Sequence, residues 1–95
     1  MKSGITSTGF AYSFDPQNAN DMHVLVHVQA VADPEATPAQ RMKALIELPK
    51  LLIGKDQTAA LYKHLEDLHE GRVPPVELER ELLEILKSED DGKNS

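Results

Sequence analysis

Residues 48–75, LPKLLIGKDQTAALYKHLEDLHEGRVPP, hold two helix ends, one whole helix and the start of another. Leu51, Leu52 and Ile53 finish an apolar run at Gly54, the residue type best able to take the left-handed conformation just past a helix. Asp56 stands where a new helix would take its N-cap, its carboxylate placed to accept from backbone N–H groups one turn on. Over 58–69 the apolar positions Leu61, Leu65 and Leu68 recur at helical spacing, with charge on the other side. Gly71 closes that helix, and the Pro74-Pro75 pair cannot continue it but can begin the next. The stretch predicts two helix hairpins sharing one central helix. It is a packing scaffold, with no catalytic signature in it.

Upstream, Thr37, Pro38 and Gln40 make a capping box with proline at the first helical position, and Met42, Leu45, Ile46 and Leu48 continue an apolar face. Pro49 lacks the N–H that this ladder needs, so a kink or break is expected there. Downstream, Leu78, Leu82, Ile85 and Leu86 turn inward from a helix starting at Pro75, with Val76 and Leu83 flanking. Glu77, Glu79, Glu81 and Glu84 are expected mostly in water. The polar residues 88–95 read as a disordered acidic tail.

The N-terminal third is less decided. Residues 1–8 read as a flexible lead-in, and Phe10, Tyr12 and Phe14 then alternate with small residues as a strand with one buried face. Those rings either lie on the helical core or face a neighbouring subunit from an edge strand. Either way the strand's backbone must find a partner. Residues 21–33 fit two periods. As a strand, Met22, Val24, Val26, Val28 and Ala30 share a face; as a helix capped by Asn20 or Asp21, Val24, Leu25, Val28, Val31 and Ala32 form a stripe.

Ninety-five residues make one domain, 9–87, that buries roughly 60–65% of its unfolded surface. Hydrophobic residues at 40% and charged ones at 27% are a globular balance, not a disordered one. A formal net charge of −6 argues against binding a nucleic-acid backbone. The absence of cysteine removes disulfides and thiolate chemistry and suits the cytosol. No apolar run approaches a membrane span, and the first residues do not resemble a signal peptide, so no membrane role is expected.

Chemistry is sparse. His23 and His27 are four apart, but zinc wants at least three protein ligands and spacing supplies no third. His64 and His69 do not have the metalloprotease spacing. The glutamates of the last helix suit a solvated acidic face better than a carboxylate pair. The five glycines are scattered, so no phosphate loop exists, and Pro74-Pro75 with an acidic last helix is wrong for a groove-reading helix-turn-helix. Neither catalytic residue, metal nor cofactor is expected.

The order of signals is familiar as a set. Gly9-Phe10-Ala11-Tyr12-Ser13-Phe14-Asp15 precedes Asn20-Asp21. Leu51-Leu52-Ile53-Gly54, Leu61-Tyr62-Lys63-His64-Leu65, Glu70-Gly71-Arg72-Val73-Pro74 and Glu81-Leu82-Leu83-Glu84-Ile85 follow in turn. Over about 9–86 the chain resembles the small tail assembly chaperones of long-tailed bacteriophages, especially those of Gram-positive hosts. The resemblance implies a mainly α, single-domain, non-enzymatic protein of about four helices with a short strand, made in the host cytoplasm and absent from the virion. It also implies a partner, the tape measure protein, with the tail-tube protein as a possible second one, and it tips residues 20–33 towards helix. Helices are thus expected at 20–33, 37–53, 56–69 and 75–87, and a strand at 10–14. With so small a core, self-association or partner binding is expected through Phe10, Tyr12 and Phe14, or through the surface of Leu48, Leu51 and Leu52. The alternative is an interaction or structural module with no phage role, built from the same amphipathic helices.

Genes of this family often yield a second, longer protein by ribosomal frameshifting near the end of the first frame. Gly92-Lys93-Asn94 permits a minus-one slippery run, A-AAA-AAY, and equally fits an ordinary polar tail. The expected outcome is that run in the nucleotide sequence. AAG at Lys93, or a glycine codon not ending in A, rules this slip site out.

Overall fold

In the computed structural model, which describes residues 1–93 (side chains through residue 88), the chain folds as a two-stranded sheet followed by four helices. The strands are β1, Lys2–Ile5, and β2, Ala11–Phe14, and a 3-10 turn, Pro16–Asn20, leads into the helices. These are α1, Met22–Ala32; α2, Pro38–Leu52; α3, Gly54–Leu68; and α4, Pro75–Lys93. The mainly helical fold with a short N-terminal sheet is the one expected. Among the described residues no helix is long and apolar enough to cross a membrane.

Each helix of the scaffold starts from a local signal. Thr37 Oγ1 accepts from the Gln40 N–H at 3.1 Å, and Gln40 Oε1 accepts from the Thr37 N–H at 2.8 Å, closing the capping box. Pro49 neither ends nor interrupts α2. It falls in the last turn, where only the bond to the Leu45 carbonyl is forfeited, and its ring is buried in the core. The chain then reverses within one residue: Ile53 is at once the C-cap of α2 and the N-cap of α3, and Gly54 takes φ 84°. Asp56 is therefore not the cap expected of it. The left-handed Gly54 starts α3 earlier and leaves Asp56 inside the first turn. The end of α3 comes as read, with Gly71 at φ 88° and Glu70 beside it at φ 57°.

The ambiguous segment is helical. Asp21 caps α1 by accepting from the His23 N–H at 2.9 Å, a bond that holds its carboxyl below the usual range. Val24 and Val31 are buried and Val28 half-buried, the helical stripe. Met22 and Val26, which a strand would have put on the buried face with Val24, are exposed at 67% and 51%. Leu25 and Ala32, placed on that stripe from the sequence, also lie in solvent.

Two expectations about the chain ends are corrected. Lys2–Ile5, read as part of a flexible lead-in, is the partner strand that β2 needed, paired antiparallel with Gly4 opposite Tyr12. A Cβ at Gly4 would stand 2.5 Å from Tyr12 Oη, so the missing side chain lets the ring lie across the hairpin. At the other end, α4 runs past the expected stop at Lys87 through Lys93; of the acidic tail, Asn94 and Ser95 lie outside the described residues.

The core gathers the three N-terminal rings with Val24, Leu48, Leu52, Leu61, Leu65, Leu78, Leu82 and Ile85. Leu45, Leu61, Leu65, Leu82 and Ile85 are buried as expected, whereas Met42, Ile46 and Leu68 of the anticipated faces are exposed. The radius of gyration, 12.9 Å, is close to the value of about 12 Å for a packed chain of this length. The exposed apolar side chains thus belong to a finished surface, not to an open core. Leu65→Ala should lower unfolding free energy by about 2–5 kcal/mol in chemical denaturation, because Leu65 has no solvent exposure to give up; a loss below about 1 kcal/mol would contradict the packing described.

Candidate functional site

Two carboxylates and three hydroxyls meet where the β1–β2 turn touches α4. The residues Leu78, Glu81, Leu82 and Ile85 lie three, four and seven apart, so Glu81 shares the inner face of the helix and is only 1% exposed. Its Oε1 accepts from Thr6 Oγ1 at 2.8 Å and its Oε2 from Thr8 Oγ1 at 3.0 Å. Each hydroxyl has one proton, and both protons go to the carboxylate. Thr6 Oγ1 can then accept from the Phe10 N–H at 3.1 Å, and Thr8 Oγ1 can only accept from His64 Nε2, 3.0 Å away. His64 in turn lies against Phe10, ring centroids 5.7 Å apart. Alongside, Glu84 accepts from the Ser7 N–H and from Ser7 Oγ.

The arrangement is a clasp. In a nucleophile activated by histidine, the hydroxyl gives its proton to the ring; here Thr8 gives its proton to Glu81 and receives one from His64. Burying Glu81 would be costly without partners, and the two hydroxyls meet that need while tying the hairpin turn to α3 and α4. The expectation that Glu81 faces water is corrected. Its spacing with Leu78, Leu82 and Ile85 carries the signal, and its charge points the other way. No buried side-chain polar atom lacks a partner among the described residues.

Two further contacts fasten the N-terminal elements. Gln57 accepts from the Ser13 N–H at 2.7 Å and donates to the Ser13 carbonyl at 2.6 Å, so a side-chain amide covers the open edge of β2 as a neighbouring strand would. Asn18 Nδ2 donates to the Leu52 carbonyl at 3.1 Å, satisfying one of the groups left over at the end of α2.

The residues expected to contact a partner are mostly inside. Phe10, Tyr12, Phe14, Leu48 and Leu52 are all buried, so the rings lie on the chain's own helices; Leu51, 41% exposed, alone remains at the surface. Among the described residues no group of three His, Asp or Glu side chains could hold a metal. His23 Nδ1 instead meets its neighbouring cap, Asp21 Oδ1, at 2.9 Å.

What the surface does offer is apolar. Met22, Leu25 and Val26 on α1, Met42, Ile46 and Leu51 on α2, Leu68 on α3, and Val76 and Leu83 on α4 are each at least 40% exposed. Two hollows lie among them. One, about 590 Å³, lies between Ile46 and Lys50 of α2 on one side and Lys55, Ala59 and Tyr62 of α3 on the other. The second, about 430 Å³, lies where Val31 and Met42 meet Val76 at the start of α4. Tyr62 and the two lysines carried no signal in the sequence reading, since a charged rim is indistinguishable there from any solvated face. Comparison with protein-family models, with curated proteins and with solved structures returned no match.

If the clasp fastens the hairpin, Glu81→Ala should cost about 1–3 kcal/mol, because Thr6 and Thr8 lose the acceptor they face. Glu84→Ala, at the exposed end of the same turn, should change stability far less. Equal losses from the two variants in urea denaturation would show that the buried carboxylate has no special part.

Proposed function

We propose that the chain is a non-enzymatic tail assembly chaperone of a long-tailed bacteriophage, holding the tape measure protein soluble in the host cytoplasm while the tail tube assembles. The observation that carries the reading is the apolar surface spread over the outer faces of all four helices of a packed domain. Surfaces of this kind mark places where a protein meets another, and a long helical protein with apolar stripes is a fitting counterpart. The order of motifs from Gly9 to Ile85, given above, supplies the phage context.

The partner surface in this reading differs from the one the aromatic alternation suggested. Phe10, Tyr12 and Phe14 complete the fold, and the helices' outer faces, with Leu51 among them, meet the partner. Self-association through those same faces belongs to the proposal. An excess of acidic over basic side chains, sixteen against ten, keeps the loaded complex soluble.

Co-expression with a tape measure protein, sought as a very long gene beside this one, tests the reading. The expected result is a soluble complex that co-purifies, with the long protein precipitating when expressed alone. A neighbourhood without major tail and tape measure genes, or a long protein that stays insoluble and unbound with the chain present, would leave the interaction-module alternative in its place.

A further inference from the structure

The basic side chains are unevenly placed. Between Pro38 and Lys63 five of them, Arg41, Lys43, Lys50, Lys55 and Lys63, stand against two acids, Glu47 and Asp56, in a chain whose net charge is −6. The α2–α3 hollow lies within this region. Its floor is apolar, from Ile46, Ala59 and half-buried Tyr62, and Lys50 and Lys55 rim it. Both lysines are exposed, and among the described residues neither is in an ion pair.

We propose that this groove receives one amphipathic helix of a partner protein, apolar along the face that meets Ile46, Ala59 and Tyr62 and acidic along its flanks. The inference rests on the partner-binding reading above and names the chemistry of the segment bound; it does not need the phage role. An open hollow with an apolar floor between two helices accepts the apolar face of a third. Lysines on the rim meet flanking carboxylates, selecting acidic helices and turning away basic ones.

A second copy of the chain fits poorly. The exposed apolar residues of α4, Val76 and Leu83, share their face with Arg80 and Lys87. Of the carboxylates described on α4, Glu77 is paired with Arg80, Glu81 is buried and Glu84 is held by Ser7, while half-buried Glu79 lines the other hollow with Val76. The exposed apolar residues of α1 have no glutamate near them in its sequence, MHVLVHVQAVA. On α4 the apolar residues thus carry basic neighbours that would face Lys50 and Lys55 of the groove. Nucleic acid is disfavoured by the sixteen acidic side chains around so small a basic patch.

Two designed helical peptides with one leucine stripe, flanked by glutamate in one and by lysine in the other, test this by fluorescence anisotropy at low salt. The full chain should bind the glutamate-flanked peptide at least tenfold more tightly than the other, with affinity falling as salt is raised. A Lys50→Glu, Lys55→Glu double variant should reverse the preference, and Ile46→Asp should weaken both, with helical circular dichroism unchanged in each. Equal binding of the two peptides, no binding of either, or a preference unaffected by the double charge reversal would overturn the proposal. Sedimentation in which the wild type self-associates and the double variant does not would assign the groove to a second copy, and overturn it too. A co-purifying tape measure complex that survives these substitutions would reject the groove while leaving the chaperone reading intact.

Discussion

The reversal at Gly54 is the constraint on which the rest of the structure depends. A backbone at φ 84° lets α2 end and α3 begin with Ile53 as the only residue between them, and a side chain there would strain that turn. Because the link is so short, the end of α2 and the start of α3 are fixed against each other. Leu48 and Leu52 of α2 then join Leu61 and Leu65 of α3 in one buried cluster without a loop to set their register. The outward side of the same hairpin is the basic, apolar-floored furrow. Core and candidate docking surface are the two faces of one turn.

The N-terminal hairpin completes that scaffold more than it extends it. Its rings supply aromatic bulk that the leucine-rich helices lack, and its polar atoms are matched one by one: Thr6 and Thr8 to Glu81, Ser7 to Glu84, Ser13 to Gln57. Such contacts are directional where apolar packing is not, so they set how the sheet sits on the helices. The buried carboxylate has a structural part here, consistent with its hydroxyl partners.

Legibility from sequence followed the range of the physics involved. The Thr37-Pro38-Gln40 start, the Gly54 and Gly71 stops and the Pro75 start act within a turn of themselves, and each was read at its place. Asp56 has a capping residue's chemistry but follows a glycine that has already turned the chain, which puts it inside the helix. Valine fits both periods, so residues 21–33 needed the exposure of Met22 and Val26 to decide them. Lys2–Ile5 was invisible because KSGI has no apolar alternation; its strand exists through Gly4 meeting Tyr12 and through a turn fastened to a helix far along the chain. The candidate site was harder still. An alternating aromatic strand looks the same whether its buried face meets its own core or another molecule, and the lysines of the groove look like any solvated pair until α2 and α3 are set side by side.

The central claim is that the aromatic strand is internal and that partners meet the helices' outer faces. Backbone chemical-shift mapping of the labelled chain, titrated with the tape measure protein proposed as its partner, addresses that most directly. The account predicts shifts at Ile46, Lys50, Lys55 and Tyr62, with Phe10, Tyr12, Phe14 and the Thr6–Glu81 clasp undisturbed. Shifts concentrated on the three rings, with the clasp broken and α2–α3 silent, would contradict it.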